Sequence, residues 1–174
     1  DAEADAHESI EKSPVPTIAM INGPCRGGGL AIALACDLRY ASDTATFAAP
    51  PAKLGIAFPH PAVKALAKTI GDAHARHLLL TATTIDAQEA SRIGLLHHVT
   101  SSSSLTTTVA ELTAQICKLA PRSLTAAKVS LAAVKSHTSS TEVQNAIKKC
   151  YESDDYQEGI TAFLEKRSPD FNGT

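Results

Sequence analysis

The chain has 174 residues, of which 44% are hydrophobic and 20% are charged, so it is long enough for one domain with a real core and too apolar for wholesale disorder. A net charge of −2 and a pI of about 6.4 exclude a basic surface for nucleic acid or an anionic membrane. No apolar run approaches the roughly 18–20 residues that a membrane helix needs. No two of the four cysteines have CxxC spacing, so we expect reduced thiols in an intracellular protein, with disulfide bridges as the alternative.

The first half of the chain alternates short apolar runs with turn residues, which is typical of an α/β fold. Residues 1–12 resemble the end of a helix that Pro14 and Pro16 stop. The predicted elements that follow are a buried strand at 17–22, a glycine-rich loop at 23–29, a buried helix at 30–36, and strands at 38–41 and 46–48. Prolines then open two further helices, and Gly71 is predicted to close the second of them before another helix at 73–80.

The second half is predicted to be almost entirely helical. Asp86 and Glu89 form a capping-box pattern for a short helix that ends at Gly94, and a strand is predicted at 95–100. After a polar loop at 101–104, apolar residues recur with the helical i, i+3, i+4, i+7 spacing in four successive sets. We therefore expect one domain in two parts, an α/β core over residues 1–100 and a helical region over residues 101–174.

The glycines at 27–29 lie between a predicted strand and a predicted buried helix. Three missing Cβ atoms allow a ligand to approach the backbone, and a helix N-terminus favours negative charge. The turn therefore suits a phosphate or the oxyanion of a thioester enolate, or it is a tight turn that needs small residues. A nucleotide loop is disfavoured, because the spacing is not GxGxxG and no GK[ST] follows.

The pattern NG-x3-GGG-x6-CD-x2-YAS, which begins at Asn22 and ends at Ser42, resembles the signature of the crotonase superfamily, the enoyl-CoA hydratase/isomerase family. The stretches 84–96 and 157–167 are also similar to that family, and the resemblance covers about residues 13–172. It implies the ClpP/crotonase spiral fold, truncated here at its N-terminus, with a C-terminal helical region used for trimerisation. It also implies an acyl-CoA substrate, with coenzyme A as part of that substrate rather than as a cofactor, in the cytoplasm or the mitochondrial matrix.

The resemblance implies that Gly28 supplies one backbone N–H of an oxyanion hole, flanked by Gly27 and Gly29. The family's other donor comes from an N-terminal loop with no counterpart in residues 1–174. The two glutamates that hydratases use as acid and base correspond to Ala31, three residues after Gly28, and to Pro51, directly after the Pro of F-x-x-P. Neither residue transfers a proton, so ordinary hydration is not expected, although Ala31 and Pro51 would still border the substrate.

Several other residues are candidates for the same site. His60 lies where some relatives place an acid or base, and it is either a catalytic group or a histidine of a helix's first turn. Arg26 beside the glycines either meets an anionic part of the ligand or is an exposed loop residue. Phe163 and Lys166 match family residues that reach the CoA of a neighbouring subunit. Asp37 is interpreted as structural, and no metal site is expected because neither histidine pair has a carboxylate or cysteine beside it.

These expectations lead to one main function and one alternative. The main function is that of an enzyme, a lyase or isomerase related to enoyl-CoA hydratases, that stabilises an enolate without the two glutamates; isomerase, decarboxylase and thioester-hydrolase variants stay open. The alternative is a non-catalytic paralogue that binds acyl-CoA or forms oligomers. The expected partners are an acyl-CoA and further copies of the chain, in a homotrimer or hexamer, with no nucleic acid and no membrane.

Overall fold

The computed structural model describes residues 2–136 and 140–174. It consists of two units, one formed by Asp1–Ser13 and Thr17–Val109 and the other by Pro14–Pro16 and Ala110–Thr174. The first unit is α/β and the second is helical.

Short strands of the α/β unit form two three-stranded sheets. In chain order the strands are β1 (Ile18–Ile21), β2 (Pro24–Arg26), β3 (Leu38–Ser42), β4 (Thr46–Ala48), β5 (Thr84–Asp86) and β6 (His98–Thr100). The first sheet is parallel, in the order β1-β3-β6, with Ile18 opposite Leu38 and Tyr40 opposite His98. In the second sheet β4 pairs in parallel with β2 and antiparallel with β5.

Helices cover these sheets and make up the rest of the chain. They are α1 (Ala2–Glu11), α2 (Gly28–Ala35), α3 (His60–Thr81), α4 (Ala87–Arg92), α5 (Leu105–Ile116), α6 (Pro121–Ser136), α7 (Ser140–Tyr151) and α8 (Asp154–Glu165), with a 3₁₀ helix at Pro51–Leu54. Helix α2 packs against both α1 and α3, and all of its side chains except that of Ile32 are buried. Because α2 is surrounded in this way, the glycine turn that begins it has a fixed position in the unit.

The α/β core is formed by large side chains that are almost wholly buried. Phe47 of β4, Leu30 of α2, Leu66 and Leu78 of α3, and Leu95 before β6 are each at most 1% exposed. These five residues come from four parts of the sequence, and the core they belong to joins the strands and helices of the α/β unit. Burial of side chains of this size stabilises a fold by about 1.5–3 kcal/mol each.

Two short strands differ from the sequence prediction. Residues 24–26 were expected within a loop, but they form β2, and residues 84–86 form β5 just before α4. Each strand has only three residues, of which one has a buried apolar side chain. A segment this short cannot show the alternation of apolar and polar residues that predicts a strand. Their pairing with β4 on both sides overrides the local turn preference. Helix α2 also begins at Gly28, two residues earlier than the apolar run at Leu30 indicated.

The predicted helix boundaries at glycine and at a capping residue are confirmed. Gly71 breaks α3 with a non-helical φ of 77° and ψ of 160°. The Asp86 side chain caps α4 by accepting a hydrogen bond from Glu89 N at 2.8 Å. The second half of the expected capping box does not form, because the Glu89 carboxylate instead makes a two-point ion pair with Arg92.

The helical unit is closed by its own C-terminal residues, which fold back onto α8. The buried carboxylate of Asp155 accepts hydrogen bonds from Asn172 N at 2.8 Å and Gly173 N at 3.0 Å. The Phe171 ring lies against Gly159, where a Cβ atom would meet it at 3.6 Å. Helix α6 holds the Pro14–Pro16 segment in the same way, since Thr125 Oγ1 and Lys128 Nζ donate to backbone carbonyls of that segment.

Candidate functional site

The glycine turn presents free backbone donors at the start of α2. Gly27 has φ 53° and ψ −122°, a conformation open mainly to glycine, and its N–H donates to Ala48 O at 3.2 Å. The first helical bond runs from Ala31 N to Gly27 O at 3.0 Å. The N–H groups of Gly28 and Gly29 precede that bond, and within the residues that the structure describes neither has a backbone or side-chain acceptor.

The space in front of this turn is open. Gly28 and Gly29 are exposed, and a Cβ atom built on Gly27 or Gly29 would meet nothing within 4 Å. The glycines are therefore not required by packing at these two positions, as they would be in a turn that merely needs small residues. An exposed pair of N–H groups at the positive end of a helix attracts an anionic oxygen.

Arg26 is the last residue of β2 and lies beside the turn. Its side chain is exposed, and Nη2 donates to Thr46 Oγ1 at 3.2 Å across the β2–β4 pair. That single bond uses one of the five N–H donors of the guanidinium, so the others remain available. The side chain is therefore tethered next to the glycines while keeping the capacity to meet an anion.

Ala31 and Pro51, the positions at which the sequence resemblance predicts the two glutamates of a hydratase, are both buried. Pro51 begins the 3₁₀ helix three residues after Ala48, whose carbonyl binds Gly27 N, so the backbone that carries Pro51 starts next to the glycine turn. No Asp or Glu occurs between Asp43 and Asp72. The structure thus supplies no carboxylate from the segment in which the family's second glutamate would lie.

His60 is the first residue of α3 and is exposed, with Pro59 as the N-cap residue. Within the described residues its imidazole makes no hydrogen bond or ion pair that would orient it as an acid or base. Its catalytic role therefore stays a prediction, and the competing interpretation as a histidine of a helix's first turn agrees with its location.

Asp37 has the structural role that the sequence indicated. Its Oδ2 accepts hydrogen bonds from Thr17 N at 2.7 Å and from Thr17 Oγ1 at 2.9 Å, while Asp37 N donates back to Thr17 Oγ1. This reciprocal pair joins the residue before β1 to the turn between α2 and β3. It sets the start of the strand that leads to the glycine turn.

A buried arginine of β3, which was not predicted as a site residue, binds a backbone carbonyl at the end of α2. Arg39 Nε donates to Leu95 O at 2.8 Å and Nη1 donates to Cys36 O at 2.9 Å, so the guanidinium satisfies carbonyls near the helix C-terminus. Arg39 N donates to His97 Nδ1 at 3.1 Å. Burial and the nearby Arg39 charge lower the pKa of His97, which keeps this imidazole neutral and accepting.

The predicted CoA contacts lie at the end of α8 in the helical unit. Phe163 is 82% exposed and borders an apolar groove of about 670 Å³, to which α6, α7 and α8 contribute side chains together with Phe171. Lys166 follows the helix as its C-cap residue and is exposed. Glu158 and Arg167 form a two-point ion pair beside Lys166, and this pair was not predicted. Nine residues separate the two, which is not a spacing of neighbours on a helix, so the sequence pattern gives no sign of the pair.

Metal ligands, cysteines and membrane-spanning helices are the other features to consider. No group of three or more His, Cys, Asp or Glu side chains within the described residues is arranged to hold a metal ion. None of the four cysteines is in a disulfide, and burial raises the pKa of the Cys25 thiol to about 11. In the part of the chain that the structure describes, no helix combines the length and apolar character required to cross a membrane.

Solved structures with the same architecture identify the class of protein. An enoyl-CoA hydratase/isomerase family protein from Hyphomonas neptunium superimposes with a TM-score of 0.93 at 29% identity, over 98% of this chain and 66% of that one. An enoyl-CoA hydratase from Bacillus anthracis gives a TM-score of 0.86 at 30% identity, over 99% and 69% of the two chains. The chain therefore has the crotonase fold.

Sequence comparisons then define the family. The chain belongs to the enoyl-CoA hydratase/isomerase family, whose model matches residues 2–174. It is 37% identical to the enoyl-CoA isomerase/hydratase fer4 of Mycosarcoma maydis, over 95% of this chain and 62% of that protein. It is 33% identical to the methylmalonyl-CoA decarboxylase of Escherichia coli, over 94% and 65%. The chain thus spans less than two thirds of the length of these relatives.

Proposed function

We propose that this chain binds an acyl-CoA thioester and stabilises the enolate of its acyl group through Gly28 N–H. The observation that supports this most directly is the exposed Gly28 N–H, which has no acceptor among the described residues and lies in the first turn of α2. A carbonyl oxygen that gains negative charge in the transition state would be bound there by a preorganised donor and by the helix dipole.

The same proposal assigns the remaining contacts. Gly27 and Gly29 keep the approach to the donor open, and Ala31 and Pro51 provide an uncharged surface beside it. Arg26 would meet an anionic part of the ligand, and Phe163 and Lys166 would contact the coenzyme A bound to a neighbouring copy of the chain. A second oxyanion donor, which the family supplies from a loop outside the region matched here, completes the hole in the whole protein. Coenzyme A enters as part of the substrate, and no separate cofactor is needed.

Among the reactions that pass through an enolate, decarboxylation makes the smallest demand on this site. When the Cα–carboxylate bond breaks, CO₂ leaves and the electron pair forms the enolate, so no side chain must remove a proton from Cα. Solvent then supplies the proton that Cα takes up to give the shortened acyl-CoA. The uncharged residues Ala31 and Pro51 also repel no substrate carboxylate. Hydration needs both an acid and a base at these positions, and neither residue titrates. The methylmalonyl-CoA decarboxylase among the relatives is consistent with this choice.

Calorimetry on the full-length protein tests the role of Gly28. Gly28→Val places a side chain at the donor, and we expect it to abolish binding of acetyl-CoA and methylmalonyl-CoA while the protein stays folded. Gly23→Val is the control, because a Cβ atom at Gly23 would meet nothing within 4 Å and its φ is not positive. Unchanged acyl-CoA affinity in a folded Gly28→Val protein would exclude Gly28 as the thioester contact.

A turnover screen on the same protein separates the enzyme from the non-catalytic alternative. We expect CO₂ release from methylmalonyl-CoA to exceed hydration of crotonyl-CoA. The non-catalytic paralogue would be favoured if the protein bound acyl-CoA tightly but turned over neither of these substrates. The same screen should then also show no isomerisation of a dienoyl-CoA and no hydrolysis of an acyl-CoA thioester.

We also propose that the whole protein forms a homotrimer or a dimer of trimers. In the helical unit, Leu131, Val134 and Leu164 are 64%, 80% and 73% exposed, an unusual exposure for such large apolar side chains. Light scattering should show an oligomer at micromolar concentration, and a Leu131→Asp/Val134→Asp variant should shift it towards smaller species. Leu80→Asp, equally exposed on α3, is the control. A wild-type monomer would contradict the proposal.

A further inference from the structure

The backbone of Lys166 is in a conformation that lysine rarely adopts. Its φ of 56° and ψ of 38° are left-handed, and among the described non-glycine residues only Ala82 shares a positive φ. Arg167 N donates to Ala162 O at 3.0 Å, which is the backbone pattern that ends many helices with a left-handed residue. Glycine is the usual residue at that position, because a Cβ atom there is crowded by the neighbouring carbonyl.

A clamp of charged side chains holds the chain on both sides of Lys166. Arg167 Nη1 and Nη2 bind the two carboxylate oxygens of Glu158 at 2.6 and 2.8 Å, and Arg167 Nε binds Glu165 Oε2 at 2.6 Å. Glu158 Oε1 also accepts a hydrogen bond from Asp170 N at 2.8 Å. The clamp therefore links α8 to the residues directly before and after Lys166 and to the chain that follows.

The clamp contains two carboxylates, and both of them bind Arg167 and not Lys166. Arg167 binds both nearby carboxylates, whereas Lys166 Nζ has no ion pair or hydrogen bond among the residues for which the structure gives contacts. If Arg167 did not bind Glu158 and Glu165, either carboxylate would be available to pair with the adjacent lysine. An exposed ammonium without a partner is suited to bind an anion as a point charge.

We infer that Glu158, acting through Arg167, is a positioning residue that holds Lys166 in its left-handed conformation and keeps the Lys166 ammonium free for the phosphate groups of the substrate. This inference rests on the proposed function, in which Lys166 contacts coenzyme A. It accounts for the presence of a lysine where glycine would be less strained: the backbone supplies the turn, and the side chain supplies a charge that glycine lacks.

The test compares coenzyme A with pantetheine, which has the same thiol arm and no phosphate, by calorimetry on the full-length protein. We expect Lys166→Gly to weaken coenzyme A binding about fivefold to tenfold, the loss of one charge-assisted contact, and to leave the melting temperature unchanged or raised. Glu158→Gln should weaken coenzyme A binding about threefold and leave pantetheine binding unchanged. In the Lys166→Gly background, Glu158→Gln should have no further effect on coenzyme A affinity.

Glu89→Gln is the control, because Glu89 and Arg92 also form a two-point ion pair, here through Nε and Nη2 on α4, and Ile93, the residue after Arg92, is not left-handed. It should leave both affinities unchanged. Equal effects of Glu158→Gln in the two backgrounds, or a lower melting temperature with unchanged coenzyme A affinity, would make Glu158 merely structural and overturn the inference. A folded wild-type protein that binds no coenzyme A would overturn the proposed function as well, whereas binding that none of the variants alters would overturn only this inference.

Discussion

The glycine turn of the α/β unit and the end of α8 in the helical unit differ in how each would recognise a ligand. The turn has no titratable side chain at positions 31 and 51, and it offers backbone N–H groups at a helix N-terminus. The end of α8 is exposed and carries four charged side chains within ten residues, Glu158, Glu165, Lys166 and Arg167. The glycine turn would bind through fixed backbone dipoles, and the end of α8 would bind through the charge of Lys166, which lies next to the ion pairs of Arg167.

Under the proposed function, this difference matches two chemically distinct parts of an acyl-CoA, the thioester and the phosphates. The thioester is neutral until an enolate forms, so it is best served by donors that are already oriented and that do not bind a permanent charge. The phosphates are charged throughout, so a cation binds them in the ground state and in the transition state alike. The first region should therefore govern turnover, and the second should govern affinity.

The largest expected effect is the slow hydration of crotonyl-CoA by the full-length protein. Loss of a single general acid or base costs about 10²–10⁴ in rate, and the proposed function has neither at positions 31 and 51, although such losses need not add. We expect a rate at least about 10²-fold below that of an ordinary hydratase assayed in parallel. A rate within tenfold of that enzyme would show that the proton-transfer groups lie elsewhere than positions 31 and 51.

A second prediction concerns the rigidity behind the glycine turn. Leu66→Ala should lower the free energy of unfolding by about 2–5 kcal/mol, because Leu66 is 0% exposed on the helix that packs against α2. Leu80→Ala on the same helix is the control, since Leu80 is 78% exposed, and it should change stability by at most about 0.5 kcal/mol. Urea unfolding followed by circular dichroism measures both. Similar losses in the two variants would contradict the described burial of α3.

The fold was largely predictable from the sequence because its signals are local. The 3.6-residue periodicity located α5 to α8, and the capping residue Asp86 and the breaking residue Gly71 marked helix boundaries through their own backbone requirements. Strands β2 and β5 were not predictable in this way. Their three residues are held by pairing with β4, whose partner residues are 22 positions away in the sequence for β2 and 36 to 40 positions away for β5.

The site was only partly predictable for a related reason. The glycine turn has a motif that lies within one short segment, so its free N–H groups followed from position alone. The Glu158–Arg167 pair spans nine residues and forms only because the chain reverses at Lys166. Arg39 is similar, since its partners Cys36 and Leu95 are far apart in the sequence and come together only in the folded unit. Side-chain contacts created by chain reversal or by packing leave no periodic trace.

Loss of the Asp37 carboxylate should have a smaller effect than loss of a core leucine. Asp37→Ala removes the acceptor for Thr17 N and Thr17 Oγ1, and we expect it to destabilise the protein by about 1–3 kcal/mol. Asp37→Asn keeps one acceptor oxygen and should cost less. The control is Asp72→Ala, which removes only an exposed ion pair with Arg76 on α3 and should have little effect. Equal effects of Asp37→Ala and Asp72→Ala in thermal unfolding would show that Asp37 does not anchor the start of β1.

The smallest expected effect is the pH dependence of the clamp at the end of α8. Arg167 first, and then the hydrogen bond from Asp170 N, lower the pKa of Glu158 from its ordinary value of 4.5 to about 2. Because the folded state binds this proton less readily than the unfolded state, the carboxylate stabilises the fold fully above pH 4.5 and loses that contribution as pH falls towards 2. The melting temperature of the wild type should exceed that of Glu158→Gln by a constant amount above about pH 5, and the two should converge below that range. Salt should reduce the difference, because the pair is partly exposed. A difference that persists unchanged down to pH 2 would mean that Arg167 is not the partner that keeps Glu158 ionised, and the free charge on Lys166 would then need another explanation.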